Sequence, residues 1–412
     1  VPAVQEADDA LWIDVESSDV PFVVNGLMDH AASLHVSDLF FCAEEYYVSV
    51  SARHLGLWQV VSQLPSDMGK RCLAHIKSMA GMDIAEHRRP LDGRWIFNRA
   101  NGETIDLRIS TIPTLYGEDC TMRFLARQSQ LLALDKLGMP QRDYNYLLQM
   151  LNNPSGLILV TGPTGSGKTT TLYACINFLN NGQRKINTIE DPVEYALVRV
   201  RQSQVNPLID LGFVEILRGV LRQAPDVIMI GEIRDVETAA IAVRAAASGH
   251  LVLATLHAPI AAAAIQSMLT LGIHPHHLAS CLLGCIAQRL VRTLDDKTKV
   301  PYDVSMAPGV FDEVRRWLAP GEGEQIFGPP TGIRSPSLGY TGRTGVFEVM
   351  PISRAIRQLI MLQQPTSIIR QKAVEEGMIE MRHAALLAVA RGDTSIEEVF
   401  RAIPSEYLNV DD

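Results

Sequence analysis

No stretch of the 412-residue sequence approaches the ~18 consecutive apolar residues that a bilayer-crossing helix needs. The first residues, Val1 to Asp9, also lack the basic and then apolar layout of a secretory leader. Both absences predict a soluble, cytoplasmic chain, although it begins at Val1 rather than Met and anything upstream is unseen. Basic charge is in short supply too. With 37 Lys and Arg against 46 Asp and Glu, the formal net charge of -9 argues against a broad nucleic-acid-binding surface and leaves room only for a local basic channel. Six cysteines lie scattered, without the paired short spacings of a zinc site or the density of a disulfide scaffold, so reduced thiols are expected. Cys281 and Cys285 sit four apart, but in the apolar run Leu278 to Leu290, read as helical, where such cysteines are core filler. No internal repeat is evident.

A hydrophobic content of 47% supplies a sizeable core, and the length predicts two or three domains of ~100–200 residues each. Pro21 to Leu34 carries apolar residues at helical spacing, followed by short strands at Val36 to Phe41 and Tyr46 to Val50. Between Arg94 and Leu125 the period becomes two, after a hairpin turn at Asn101-Gly102. A small N-terminal α+β domain, PAS-like, is therefore expected over 1–127, with a linker over 128–143 that leads into a helix at Tyr144 to Leu151. Beyond Pro154, short apolar runs at Leu157 to Thr161, Ile186 to Ile189, Val227 to Ile230 and Leu251 to Thr255 alternate with helical segments, the pattern of an α/β sheet covered by helices. This core is expected over 144–292. A mostly helical C-terminal region over 293–412 follows Pro275, broken near Asp295 to Tyr302 and across Pro320 to Gly345.

The most specific signal is Gly162, Pro163, Thr164, Gly165, Ser166, Gly167, Lys168, Thr169 and Thr170, a G-x-x-x-x-G-K-T pattern directly after a strand and before a helix. Three glycines let backbone N–H groups converge on phosphate oxygens while the helix presents its positive end to the same anion. Lys168 should reach the β and γ phosphates, and the Thr169 hydroxyl should meet Mg²⁺. A Gly-rich turn with a fortuitous Lys is the plain alternative. The strand Val227 to Ile230 runs into Gly231, Glu232, Ile233, Arg234 and Asp235, which puts a carboxylate at the sheet edge beside the phosphate loop. Glu232 is the candidate for positioning the attacking water, touching Mg²⁺ directly or through water, against the plainer reading of an acid at a helix start.

Glu190 ends another strand and could hold metal-bound water, brace the phosphate loop, or simply form a turn before Pro192. His257, after the strand Leu251 to Leu256, could sense the γ-phosphate, with a loop histidine as the bland reading, while His274, His276 and His277 read as a solvated helix start.

In this order, the motifs GPTGSGKTT, TIEDPVEY, DVIMIGEIRDVETA, GHLVLATLHA, QRLVR and GYTGRTGVFEVM resemble those of type II secretion and type IV pilus assembly ATPases, within the secretion ATPase superfamily. The resemblance runs from about Pro21 to Ile403 and implies a P-loop RecA-like ATPase domain with a smaller N-terminal α+β domain and a helical C-terminal part. It implies ATP and Mg²⁺ as ligands and a homo-hexamer. It also implies an inner-membrane platform protein and cytoplasmic secretion or pilus subunits as partners, hence a cytoplasmic protein peripheral to the membrane. Family members send arginines from the N-terminal domain to a neighbour's nucleotide, and Arg94, Arg108 and Arg123 stand at the matching positions. Read without it, all three are strand-surface arginines.

Two departures stand out. The four-cysteine zinc module of many relatives has no cysteine in Leu294 to Pro301 or Arg334 to Leu338, so no zinc is expected, and Pro320 to Pro330 either keeps that module's shape or forms a loose loop. The Thr-Asn-Asp residues after the His box are replaced by Ala258, Pro259 and Ile260, which removes polar groups near the site. The recruitment domain of relatives is absent or precedes Val1. A motor ATPase is the leading expectation; a retraction motor, a nucleotide-holding regulatory subunit and a nucleic-acid translocase are the alternatives.

Overall fold

The computed structural model describes residues 19–125, 133–302, 309, 311–330 and 339–408, and these residues form two compact units. The first runs from α1 (Val20–Ser33) through β1 (Asp38–Ala43), β2 (Tyr47–His54), β3 (Leu57–Pro65), α2 (Ser66–Met79), β4 (Leu91–Asn98) and β5 (Thr104–Thr114) to β6 (Gly117–Leu125). Its six strands form one antiparallel sheet in the order β3-β2-β1-β6-β5-β4. Pro21 stands in the first turn of α1, where its missing N–H costs no hydrogen bond, and Val20, Val23, Val24, Leu27, Met28 and Ala31 recur at three- and four-residue spacing to form one buried stripe. That stripe and α2 pack on one face of the sheet, against Leu39, Phe41, Val50, Leu107, Ile109 and Met122. With period two, the residues between them, Arg108 among them, point to the other face.

The second unit begins after Ala133 with a short 3-10 turn (Leu134–Lys136) and α3 (Gln141–Leu151). The expected linker over 128–143 falls partly outside the described residues. Alternating elements follow: β7 (Gly156–Thr161), α4 (Lys168–Leu179), β8 (Ile186–Glu190), β9 (Arg201–Gln204), α5 (Phe213–Leu221), β10 (Val227–Ile230), α6 (Val236–Ala247), β11 (Leu251–Leu256), α7 (Ala261–Thr270) and α8 (Pro275–Cys281). Then come β12 (Leu282–Leu294), the short pair β13 (Val300–Tyr302) and β14 (Ile326–Gly328), β15 (Tyr340–Pro351), and α9 (Arg354–Met361), α10 (Thr366–Glu375), α11 (Met381–Ala390) and α12 (Ile396–Ala402). The main sheet has seven strands in the order β15-β12-β7-β11-β10-β8-β9, and the pairs from β12 through β9 are all parallel.

Every residue of β7, β10 and β11 is buried. Leu157 and Leu159 face the helices α5 to α8, whereas Ile158 and Val160 face α3 and α4, so each strand is apolar on both sides. At ~1.5–3 kcal/mol for each fully buried aliphatic side chain, this double burial fixes the strands that carry the loops described next.

The same double burial misleads the helical reading of Leu278 to Leu290. From Leu282 the chain is β12, with Cys285 and Ala287 on one face of the sheet and Ile286 on the other, and a strand covered on both sides shows no alternation to distinguish it from a buried helix. Cys285 is core filler in a strand, while Cys281 closes α8. The expected boundary at 292 thus lies within β12, and β15 returns to the sheet before the helical part, α9 to α12, begins. Between these strands, Phe311, Val314 and Ile326 are buried in the same core, and Lys299 sits 4.8 Å from the Phe327 ring and donates to Gly392 O. The described part of the cysteine-free segment is a packed two-stranded module rather than a loose loop; residues 331–338 lie outside the description.

Candidate functional site

Because β7, β11, β10 and β8 are parallel neighbours, their C-terminal ends share one edge of the sheet, and the loops that follow them converge there. After β7, Gly162 turns at φ 150°, a Cβ on it would lie 2.6 Å from both Gln288 O and Ser166 Oγ, and the turn accepts glycine alone. Gly167, at φ 86°, precedes α4 and brings no side-chain cap to it, so the first N–H groups of the helix are left for another acceptor. Ser166 Oγ is buried with no partner among the described residues, while Thr169 and Thr170 are exposed on the first turn. Gln288 of β12 braces the loop from behind: its Nε2 donates to Ser166 O at 2.6 Å, and its Oε1 accepts from Thr171 Oγ1 at 2.8 Å. Lys168 Nζ donates to Gly162 O and Pro163 O. Burial lowers the Lys168 pKa, and the Glu232 charge works against that shift, so the two groups share one electrostatic environment.

Glu232, just past β10, is gripped from two sides. His257 Nε2 lies 2.7 Å from Oε1, and Arg234 donates to Oε2, its nearer nitrogen at 2.6 Å. Asp235 is spent differently, as the N-cap of α6, accepting from Thr238 N and Oγ1. Sequence reading identifies Glu232 and His257 separately; their contact is a product of strand order, since β11 lies beside β10. Arg234, which sequence reading leaves without a role, has a usable signal, namely its two-residue spacing from Glu232 along extended chain.

Sequence left several roles open for Glu190, and its contacts are those of a brace. The carboxylate is buried; Oε2 accepts from Tyr173 Oη of α4, and Oε1 accepts from Thr188 Oγ1 and from Gln202 Nε2 at 3.1 Å. It thereby ties β8 and β9 to the helix that carries the phosphate loop. Burial first, then the hydrogen bond to Glu190, raises the Tyr173 pKa far above its ordinary value and keeps it a donor. His250 Nδ1 meets Ala245 O, and the rings of His274, His276 and His277 gather at the start of α8. No group of three or more metal-ligating side chains is found among the described residues.

The arginines of the first unit form a second, separate set. Arg94 of β4, Arg108 of β5 and Arg123 of β6 are direct cross-strand partners, on the sheet face away from the helices. The same row continues to Asp38 of β1 and Arg53 of β2. Asp106 forms a bidentate pair with Arg94, with contacts at 2.8 and 2.6 Å, and Asp38 accepts from Arg123 at 2.9 Å. Arg108, between two other arginines, makes no hydrogen bond or ion pair among the described residues. Like charges directly opposite each other destabilise a sheet, so this arrangement is not one that folding favours.

An anion cradle and a fixed carboxylate on one edge of a parallel sheet are the means of phosphoanhydride hydrolysis, and the chain is a P-loop ATPase. It belongs to the type II/IV secretion system protein family, whose model matches residues 14–401. Type II secretion system protein E of Xanthomonas campestris is 40% identical over 387 residues, which span 93% of this chain and 68% of the relative. The type IV pilus assembly ATPase PilB of Pseudomonas aeruginosa is 39% identical over 94% of this chain and 68% of its own. Among solved structures, the ATPase DotB of Legionella pneumophila superposes with a TM-score of 0.70 at 21% identity, covering 93% of this chain and 96% of that one. The pilus retraction motor PilT, with bound ADP, gives 0.61 at 24% identity over 92% and 96% of the two chains. Both structural likenesses concern the fold. None of the described helices is long and apolar enough to cross a membrane.

Proposed function

We propose that the chain is a Mg²⁺-dependent motor ATPase that powers type II protein secretion or the assembly of a type IV pilus or pseudopilus. The observation that carries this reading is the fixed Glu232, held by His257 and Arg234 on the sheet edge that bears the phosphate loop. Relatives named for secretion and for pilus assembly, each near 40% identity, support the cargo class, whereas the retraction motor shares the fold alone.

In this reading the N–H groups of 162–170 and Lys168 hold the phosphates, Glu232 orients the attacking water and takes its proton, and His257 fixes the carboxylate and senses the γ-phosphate. Mg²⁺, held by Thr169 and, directly or through water, by Glu232, supplies neutralisation of the phosphate charge. Glu190 keeps α4 in place. Arg94, Arg108 and Arg123 act on the nucleotide of a neighbouring copy in a homo-hexamer, with Arg108 the most available of the three. The ring works at the cytoplasmic face of the inner membrane, passing domain movement to a platform protein and to cytoplasmic secretion or pilus subunits.

The test is ATP turnover with Mg²⁺ measured against protein concentration, with oligomer mass recorded at each point and Lys168→Ala run in parallel. Specific activity should rise with assembly and vanish in the variant. Turnover independent of assembly would overturn the shared site, and nucleotide binding without turnover in every oligomeric state would overturn the motor.

A further inference from the structure

Ile260 and Glu380 are the N-cap residues of α7 and α11, and neither caps its own helix with a side chain. One carboxylate on a distant strand serves both. Glu348 of β15 is fully buried, with Oε1 accepting from Ala261 N at 2.8 Å and Oε2 accepting from Met381 N at 3.0 Å. Burial raises its pKa, helped by the Glu380 charge, while these two N–H groups and the Arg370 charge oppose the rise.

Ala261 closes the four-residue segment that follows His257, and three of its residues, Ala258, Pro259 and Ala261, are pinned through the main chain. Thr161 Oγ1 donates to Ala258 O at 2.7 Å and accepts from Ala258 N at 2.7 Å, one residue before the phosphate loop. Arg289 of β12, beside the Gln288 that braces the loop, donates to Pro259 O at 3.0 Å. Glu348 then holds Ala261. The apolar side chains Ala258, Pro259 and Ile260 therefore do not loosen the segment, because its fixing uses backbone groups that any sequence would offer.

We propose that Glu348 is a positioning residue for ATP hydrolysis: by capping α7 it sets the segment that aims His257 at Glu232, and by capping α11 it couples that aim to the C-terminal helices. The inference rests on the assigned role of His257. Position 348 is three residues beyond Gly345 in the GYTGRTGVFEVM motif, so the acid is visible in sequence but its partners, 87 and 33 residues away, are not.

The experiment is a double-mutant cycle on the assembled ATPase, combining Glu348→Gln with His257→Ala. An amide at 348 turns its NH₂ toward one of the two N–H groups it must accept from, so kcat should fall about tenfold, the scale on which outer partners of a reacting group act, with KM for ATP unchanged. Glu348→Gln should then add no further loss in the His257→Ala background. Equal losses in both backgrounds, or a raised KM with kcat intact, would overturn the proposal. If His257→Ala itself leaves turnover unchanged, the His257 role fails, and the Glu348 proposal with it. If Glu348→Gln does not fold, Thr161→Val, which removes the pin on Ala258, enters the same cycle with the same expected non-additivity.

Discussion

The arginine row of the first unit and the buried acids of the second hold their charges in opposite ways. On the sheet face of the first unit away from its helices, arginines stand in register: Arg94 and Arg123 are exposed and each is steadied by a carboxylate, while Arg108 is half-buried and steadied by none among the described residues. In the second unit three buried carboxylates accept several hydrogen bonds each: Glu190 from Tyr173, Thr188 and Gln202, Glu348 from two helix starts, and Glu398 from Arg292 and Arg401. Asp143 differs from these three: it is buried in α3, and its Oδ2 has no partner among the described residues. An unpartnered cation in water remains charged and ready for an anion, whereas an unpartnered acid in a core tends to give up its charge. In the proposed reading, the same lack of a partner has a functional meaning on one unit and a stability meaning on the other.

The sharpest way to break this contrast is Arg108→Ala. If Arg108 is held in reserve for a neighbour's phosphate, turnover of the assembled protein should drop by about 10³, the lower scale for an arginine acting on a transferring phosphoryl group. Nucleotide binding by the monomer should be unchanged, and thermal stability should stay level or rise, since a like-charge contact is relieved. A stability loss with turnover preserved would make Arg108 an ordinary surface residue. Next in size, Glu232→Gln should retain ATP binding while turnover falls about 10²-fold, because the amide keeps the hydrogen-bonding shape but cannot take a proton from water. Single-turnover kinetics with saturating ATP distinguishes this from a binding defect, and wild-type turnover would remove Glu232 from its role.

How much of this was legible depended on where the partners lie in the chain. The phosphate loop is local: strand, glycines, Lys168 and helix occupy fourteen consecutive positions, 157–170, and sequence alone placed them. Glu232 and His257 were likewise visible as strand-end residues, but their contact required the order of β10 and β11. The arginines came only through family resemblance, because an arginine on an exposed strand face has no distinguishing local signal. Residues 57–79 went unread, although Cys72, Leu73 and Ile76 line the buried side of α2. The cap by Glu348 was illegible for a stricter reason, since the propensity rules for helix starts look for the acceptor at the start itself, and here it lies on another strand.

The smallest expected effect concerns Asp143, and it tests the buried side of the comparison. Burial pushes its pKa up to about 7, with only Arg142 opposing the rise. An unfolded chain ionises the same group near ~3.9. Between these values the folded state keeps a proton that the unfolded chain has released, so this residue's contribution to stability is complete below about pH 4, declines as pH rises toward 7 and is level above that. Asp143→Asn removes the titration, so the variant should gain on wild type progressively across this window, by about 1.4 kcal/mol per pH unit between pH 5 and pH 7, with turnover per folded molecule unaffected. Thermal unfolding of both proteins from pH 5 to pH 8 measures the gap. A gap that is constant with pH would mean that Asp143 does not titrate in this window, and that an unpaired acid in this core is tolerated with its charge, as the half-buried Arg108 is with its own.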